Sequence, residues 1–127
     1  VRKLKKGDSL NYVLDVAKLS FKEKIVLDVF HNAQTIFVNA VMGYTPYFNE
    51  GTIALDELID DNLEAVKLYG GGDTMQELKR LLPGLYILAL DNPNYYIFTG
   101  GGAVLKAIQE ATYLGLEPVK ALCMSVE

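Results

Sequence analysis

Two runs of this chain concentrate glycine where chemistry would need bare main chain: Gly70-Gly71-Gly72-Asp73-Thr74 and Thr99-Gly100-Gly101-Gly102-Ala103. Each follows a short β-prone run, Val66-Lys67-Leu68-Tyr69 or Tyr95-Tyr96-Ile97-Phe98, and each precedes apolar residues at helical spacing. A strand that turns through glycine into a helix presents unpaired N–H groups and the positive end of the helix dipole. Such a turn attracts anions, phosphate above all. Three consecutive glycines exceed what a turn requires and suit close approach of a ligand to the backbone. The pattern therefore predicts a polyphosphate site. Asp73, itself an anion, would hold a magnesium ion bridging phosphate oxygens rather than touch phosphate, and Thr74 would donate its hydroxyl. The plainer reading of the first run is a tight turn with an acid at a helix start, which the dipole alone favours.

Other chemistries find less support. No lysine follows either triplet in the G-x-x-x-x-G-K-[ST] spacing of a phosphate-binding loop. There is no H-E-x-x-H, no cysteine pair and no histidine cluster to hold a metal. His31, the single histidine, falls at a predicted helix C-terminus, where its partial charge is favourable. Gly70 and Gly72 fit half of the dinucleotide fingerprint G-x-G-x-x-G, with Asp91 near the end of the next expected strand. Met75 occupies the third glycine position, and this alternative leaves the second triplet unexplained.

A chain of 127 residues with 50% apolar and 22% charged residues is expected to form one globular domain, 1–127. The net charge of −4 includes a basic run, Arg2, Lys3, Lys5 and Lys6, expected to be a flexible arm over 1–9. The remainder sets eight basic against sixteen acidic residues, which argues against a nucleic-acid partner. Cys123 is the only cysteine, so no internal disulfide forms, and a buried or half-buried thiol in a reducing compartment is expected. No apolar run approaches the length of a membrane span, and the charged first residues do not make a signal peptide. A cytoplasmic protein is expected.

Positioning the glycine runs requires alternating strands and helices. Tyr12–Val16 is an expected strand, and Ser20 with Glu23 has capping-box spacing before a helix whose stripe is Phe21, Ile25, Val29 and Ala33, flanked by Val26 and Phe30. Thr35–Val38 is a near-continuous apolar strand, as at the centre of a parallel sheet. Gly51-Thr52 opens a helix that turns Leu55, Leu58, Ile59 and Leu63 inward and Asp56, Glu57, Asp60 and Asp61 to water. The helix after the first triplet carries Met75, Leu78, Leu81 and Leu82. Leu85–Leu90 is an extra strand, and the helix after the second triplet ends at Gly115. The tail from Leu116 packs back on the body. The expected fold is a three-layer α/β/α arrangement with a mainly parallel sheet of about four to five strands. Right-handed crossovers place every strand-to-helix loop at one edge, outside the carboxyl ends of the strands.

These motifs, in this order, resemble the C-terminal half of the nucleotide-binding C-terminal domain of phosphoglycerate kinases. That family carries W-N-G-P-M-G-V-F-E at a strand end, a Gly-Thr pair opening a helix, then G-G-G-D-T and S-T-G-G-G-A. The counterparts here are Phe37-Val38-Asn39-Ala40-Val41-Met42-Gly43, Gly51-Thr52, Gly70 to Thr74 and Thr99 to Ala103, while Leu14-Asp15-Val16-Ala17-Lys18 resembles a degraded L-D-I-G-P. The likeness runs from about residue 12 to the end. It implies half of a Rossmann-like domain, and magnesium-dependent glycolytic transfer of phosphoryl between 1,3-bisphosphoglycerate and ADP, to give ATP. It implies that Gly71, Gly72, Gly100 and Gly101 surround the transferred group. Gly70 and Gly102 complete the phosphate-binding loops, Asp73 holds the metal, Thr74 contacts phosphate and Asn39 lies beside the nucleotide. The departures are Ala40 and Val41 for Gly-Pro, Pro46 about where a ribose-binding glutamate stands, and Ala17 for a glycine near the adenine. The family's N-terminal domain, its arginine and its lysine-bearing loop have no counterpart here, so the chain alone is expected to be inactive. Two alternatives stand beside a working kinase: a non-catalytic relative that binds a phosphorylated ligand, and an assembly partner, homo-oligomeric or completed by another chain, joined through an open sheet edge.

Overall fold

The computed structural model describes residues 5–9 and 12–124. Its elements run as a 3₁₀ turn Lys18–Lys22, α1 (Lys24–Asn32), β1 (Thr35–Val38), α2 (Glu50–Asp61), β2 (Val66–Gly70), α3 (Gly72–Leu81), α4 (Pro83–Asp91), β3 (Tyr95–Phe98), α5 (Gly101–Glu110) and α6 (Glu117–Met124). The sheet is parallel, in the order β1-β2-β3, with Val38 beside Tyr69, Tyr69 beside Ile97 and Gly70 beside Phe98. It is an α/β fold of the Rossmann-like half-domain type. Among the described residues it has three strands, fewer than the four to five expected.

Strand order in sequence order has a simple consequence. Two crossovers between parallel strands, β1-α2-β2 and β2-α3-α4-β3, bring their helices onto one face of the sheet, as crossovers of one hand must. The core lies there: Ile36, Val38, Tyr69 and Tyr95 from the strands meet Ile59 of α2, Leu78 of α3 and Ala89 of α4, with Phe30 of α1 beside them. The alternation along each strand sends Phe37, Leu68 and Tyr96 to the opposite face, where they are half-buried or exposed. Phe98, on that second face, borders α5 through Ala103, Val104 and Ala107. At the amino ends of the strands, Asn62 ties the chain together. Its Nδ2 donates to the carbonyls of Phe30 (2.8 Å) and Ala33 (2.9 Å), and its Oδ1 accepts from Ala65 N–H at 3.0 Å.

Several expectations are corrected. Leu85–Leu90 lies in α4 and not in a strand, because Pro83 sits at the helix start, where its missing N–H costs nothing. Tyr12–Val16 is irregular, since its groups are spent on α2 and the loop before it. Ser20 caps no helix; it lies in the 3₁₀ turn and α1 begins at Lys24. Ile25 and Val29 are exposed while Val26, Leu27 and Phe30 turn inward, so the buried stripe of α1 is rotated from the expected one. Leu63 is exposed, whereas Asp56 is buried and Asp60 half-buried. α5 ends at Ala111, which takes the left-handed position (φ 52°) expected at Gly115. Cys123 is exposed and α6 buries no residue, so neither the shielded thiol nor the packed tail is found. Lys5 and Asp8 close a small turn, with Arg2 and Lys3 outside the described residues. No described helix is long and apolar enough to cross a membrane.

Candidate functional site at the glycine edge of the sheet

The strand register levels the carboxyl ends of all three strands, so Asn39, Gly70-Gly71 and Gly100-Gly101 emerge side by side. The main chain is pressed together here. Gly71 N–H donates to the Phe98 carbonyl at 3.0 Å. A Cβ on Gly70 would stand 3.2 Å from the Gly101 Cα, and one on Gly101 would stand 2.9 Å from the Gly71 nitrogen and overlap the Asn39 side-chain oxygen. Asn39 Oδ1 thus fills the space between the two glycine loops. Gly71 has φ 99° and ψ 142°, a conformation essentially reserved for glycine.

Two helices start from this edge. α3 has Gly71 as N-cap and α5 has Gly100, and neither receives a side-chain cap. Their ladders begin at Met75 N–H to Gly71 O (3.2 Å) and Val104 N–H to Gly100 O (3.2 Å). The first-turn N–H groups of Gly72, Asp73 and Thr74, and of Gly101 and Gly102, have no partner within their helices. Both dipoles put positive potential on the same edge. Asp73 is exposed on the first turn of α3, with Lys79 and Arg80 in the last turn, the charge order a dipole favours. Thr74 is buried, its hydroxyl on the Gly71 side.

The structure therefore gathers Asn39, Gly70, Gly71, Thr74 and Gly101. Gly72 and Gly102 border open space, and Gly100 meets only Ala103. The N–H of Gly71 is already given to the Phe98 carbonyl, unlike those of Gly72 and Gly102. Asp91 closes α4, one helix before β3, and does not stand at a strand end where a dinucleotide site would need it. His31 sits in the last turn of α1, as its dipole role requires. No group of three or more His, Cys, Asp or Glu side chains that could hold a metal occurs among the described residues. Asp73 alone suits the way magnesium is held by one or two carboxylates together with phosphate oxygens.

A contact absent from the sequence reading lies next to this edge. Asp15 reaches the start of α2, where its Oδ2 accepts from Gly51 N–H at 3.1 Å while Oδ1 accepts from Val16 N–H at 2.7 Å. Gly43 passes so close that a Cβ there would stand 2.8 Å from the Asp15 carboxyl carbon. A cleft of ≈ 1230 Å³ opens beside it, lined in part by Val16, Ala17, Tyr47, Phe48 and Ile53. The only signal was the likeness of Leu14–Lys18 to a family motif; a cap supplied from 36 residues away leaves no local trace.

Comparison with known proteins points to one family. A family model described as phosphoglycerate kinase matches residues 1–111. A phosphoglycerate kinase of Syntrophobacter fumaroxidans is 32% identical over 113 residues, covering 87% of this chain and 26% of that protein. One of Thermus thermophilus is 36% identical over 87 residues, 67% of this chain and 20% of that protein. One of Blochmanniella floridana is 32% identical over 94 residues, 72% and 22%. The chain thus spans about a quarter or less of the length of these curated relatives. No solved structure matches significantly.

Proposed function

The chain belongs to the phosphoglycerate kinase family, and on that premise we propose that it forms the phosphate-holding part of a nucleotide site. The ligand class is ADP or ATP, or another phosphorylated small molecule. Its phosphates are met by the first-turn N–H groups of Gly72, Asp73 and Thr74 on α3 and of Gly101 and Gly102 on α5. Asn39 buttresses the two loops, and the bare backbone at Gly70, Gly71 and Gly100 allows their close approach. Asp73 would hold magnesium, which supplies charge neutralisation at the phosphates when bound. The observation that carries this reading is the convergence of two uncapped helix starts within van der Waals reach of Asn39.

Phosphoryl transfer between 1,3-bisphosphoglycerate and ADP is the reaction in which such a part would serve, within a larger kinase. Transfer depends on positioned cations around the moving group. Arg80 of α3 is engaged with Glu77 (2.6 Å) and Asn49 (2.8 Å) at the far end of its helix from the glycine edge. The purified 127-residue chain is therefore expected to bind without turning over. The test is a titration of the isotopically labelled chain with inorganic phosphate and with magnesium-ADP. Shifts at the amides of Gly72, Thr74, Gly101 and Gly102 are expected at millimolar ligand. Amides that stay in place would remove the reading, and ATP consumption dependent on 3-phosphoglycerate would overturn the expected lack of turnover.

A second role, assembly with a complementing chain or another copy, is favoured by one observation. β1 and β3 have no outer neighbour among the described residues, and Tyr96 is exposed on the second sheet face. Light scattering across a concentration series tests it; a strictly monomeric mass would set it aside.

A further inference from the structure

Five titratable side chains meet between α2 and the helix-covered face of the sheet. Asp56 and Asp60 stand one turn apart on α2 and point toward the strands. Tyr69 Oη donates to Asp56 Oδ1 at 3.0 Å, and Tyr95 Oη donates to Asp60 Oδ1 at 2.6 Å. The two phenol rings stack with centroids 6.0 Å apart, and Lys67 Nζ lies 4.8 Å from the Tyr95 ring centroid. Asp56 is 4% exposed and Lys67 1%.

The charges do not balance. Asp60 and Lys67 offset one another, with Tyr95 hydrogen-bonded to the first and stacked under the second. Asp56 is then a surplus carboxyl, held by one neutral donor and almost wholly withdrawn from water. An ionised carboxylate there is costly, and the group relieves the cost by keeping its proton. Charged or titratable groups face it from α2 (Asp60), β2 (Tyr69 and Lys67) and β3 (Tyr95). α1 meets α2 through Phe30 and through carbonyls bonded by Asn62, which do not titrate. The Lys18–Glu57 ion pair, 3.4 Å, lies on the exposed flank.

We propose that the seam between α2 and β2 is a proton-dependent clamp: Asp56 keeps its proton while α2 is docked, and its loss loosens α2 from the sheet. Burial pushes the Asp56 carboxyl up to about 6, while the Tyr69 hydrogen bond acts the other way. The folded value lies above the unfolded one, so the native state binds more protons between them. The clamp's contribution is full below the ordinary aspartate range and is lost as pH rises through about 6. Tyr69 immediately precedes Gly70, yet the clamp makes no use of anion binding at the glycine edge.

Hydrogen exchange of the α2 amides in the full chain, corrected for intrinsic rate, tests the clamp. Protection is expected to fall about tenfold between pH 5 and 8. Asp56→Asn should make it independent of pH over that range. Tyr69→Phe removes the hydrogen bond that favours the charged form and should move the fall to higher pH. Flat protection in the unmodified chain, or an undiminished fall in Asp56→Asn, would overturn the clamp. Should Asp56→Asn not fold, an unmoved midpoint in Tyr69→Phe would do the same.

Discussion

The β1–α2 junction and the two glycine junctions share the carboxyl edge of one sheet, yet they are finished in opposite ways. At the start of α2 the protein supplies its own anion: the Asp15 carboxylate takes Gly51 N–H, Thr52 Oγ1 donates to the Met42 carbonyl at 2.6 Å, and Tyr44 N–H donates to the Leu14 carbonyl at 2.7 Å. At the starts of α3 and α5 no side chain hydrogen-bonds the first-turn N–H groups, although the Asn39 oxygen stands between the two loops, and glycine occupies the N-cap and first helical position of each. The physical cause of affinity, an N-terminal dipole with orphan N–H groups, is present in all three. At α3 and α5 no carboxylate is bonded to the first N–H groups and no Cβ covers the N-cap and first helical position, so those groups remain open; the one first-turn acid, Asp73 of α3, is exposed.

The largest effect expected at the glycine edge comes from putting a Cβ back. Gly101→Ala places a methyl group onto the Asn39 oxygen and 2.9 Å from the Gly71 nitrogen, so main chain as well as side chain must shift to admit it. The substitution should cost about 1–3 kcal/mol, the usual range for overpacking, and should abolish the phosphate response. Urea denaturation and the amide titration measure the two effects. Gly102→Ala, which meets nothing within 4 Å, is the paired control and should leave stability within about 0.5 kcal/mol of the original. If both substitutions behaved alike, the close approach of the two loops would not be what sets this edge apart.

The same contrast explains what was legible in the sequence. β1, β2 and β3 stood out because short apolar runs ended in residues that must turn, and the glycine edge followed from parallel topology. Leu85–Leu90 did not, because six consecutive apolar residues carry no period that separates strand from helix. Asp56 and Asp60 occupy polar-looking positions of an amphipathic helix. Only the facing strand, with Lys67, Tyr69 and Tyr95 pointing at them, turns that side inward. Asp15 belongs to a stretch that resembles a family motif, but its work depends on a contact across 36 residues of sequence, which no local pattern encodes.

A smaller effect is expected on the closed side. Asp15→Ala removes the anion from the start of α2 and leaves Gly51 N–H unpaired, which should cost about 1 kcal/mol, as loss of a helix cap does. It should also turn a closed junction into an open one. Phosphate shifts at the Gly51 and Thr52 amides, absent in the unmodified chain, would then appear beside those of α3 and α5. If the substitution cost stability but no new response appeared, an uncapped start alone would be insufficient, and the bare glycine backbone would have to be the deciding feature.

The smallest stability effect, and the sharpest in sign, belongs to Asp73→Asn. Asp73 is exposed on the first turn of α3, so its only stabilising role is with the dipole, worth about 0.3–1 kcal/mol. Its role toward a ligand depends on what accompanies the phosphate. Against bare inorganic phosphate its carboxylate repels the anion that the helix attracts, so Asp73→Asn should bind phosphate more tightly. Against magnesium-ADP the carboxylate would help to hold the cation, so the same substitution should bind that ligand more weakly. Opposite changes for the two ligands, measured by titration at one ionic strength, would separate a metal-holding acid from a helix-start acid. Parallel changes would leave Asp73 as the latter and take magnesium out of this half of the site.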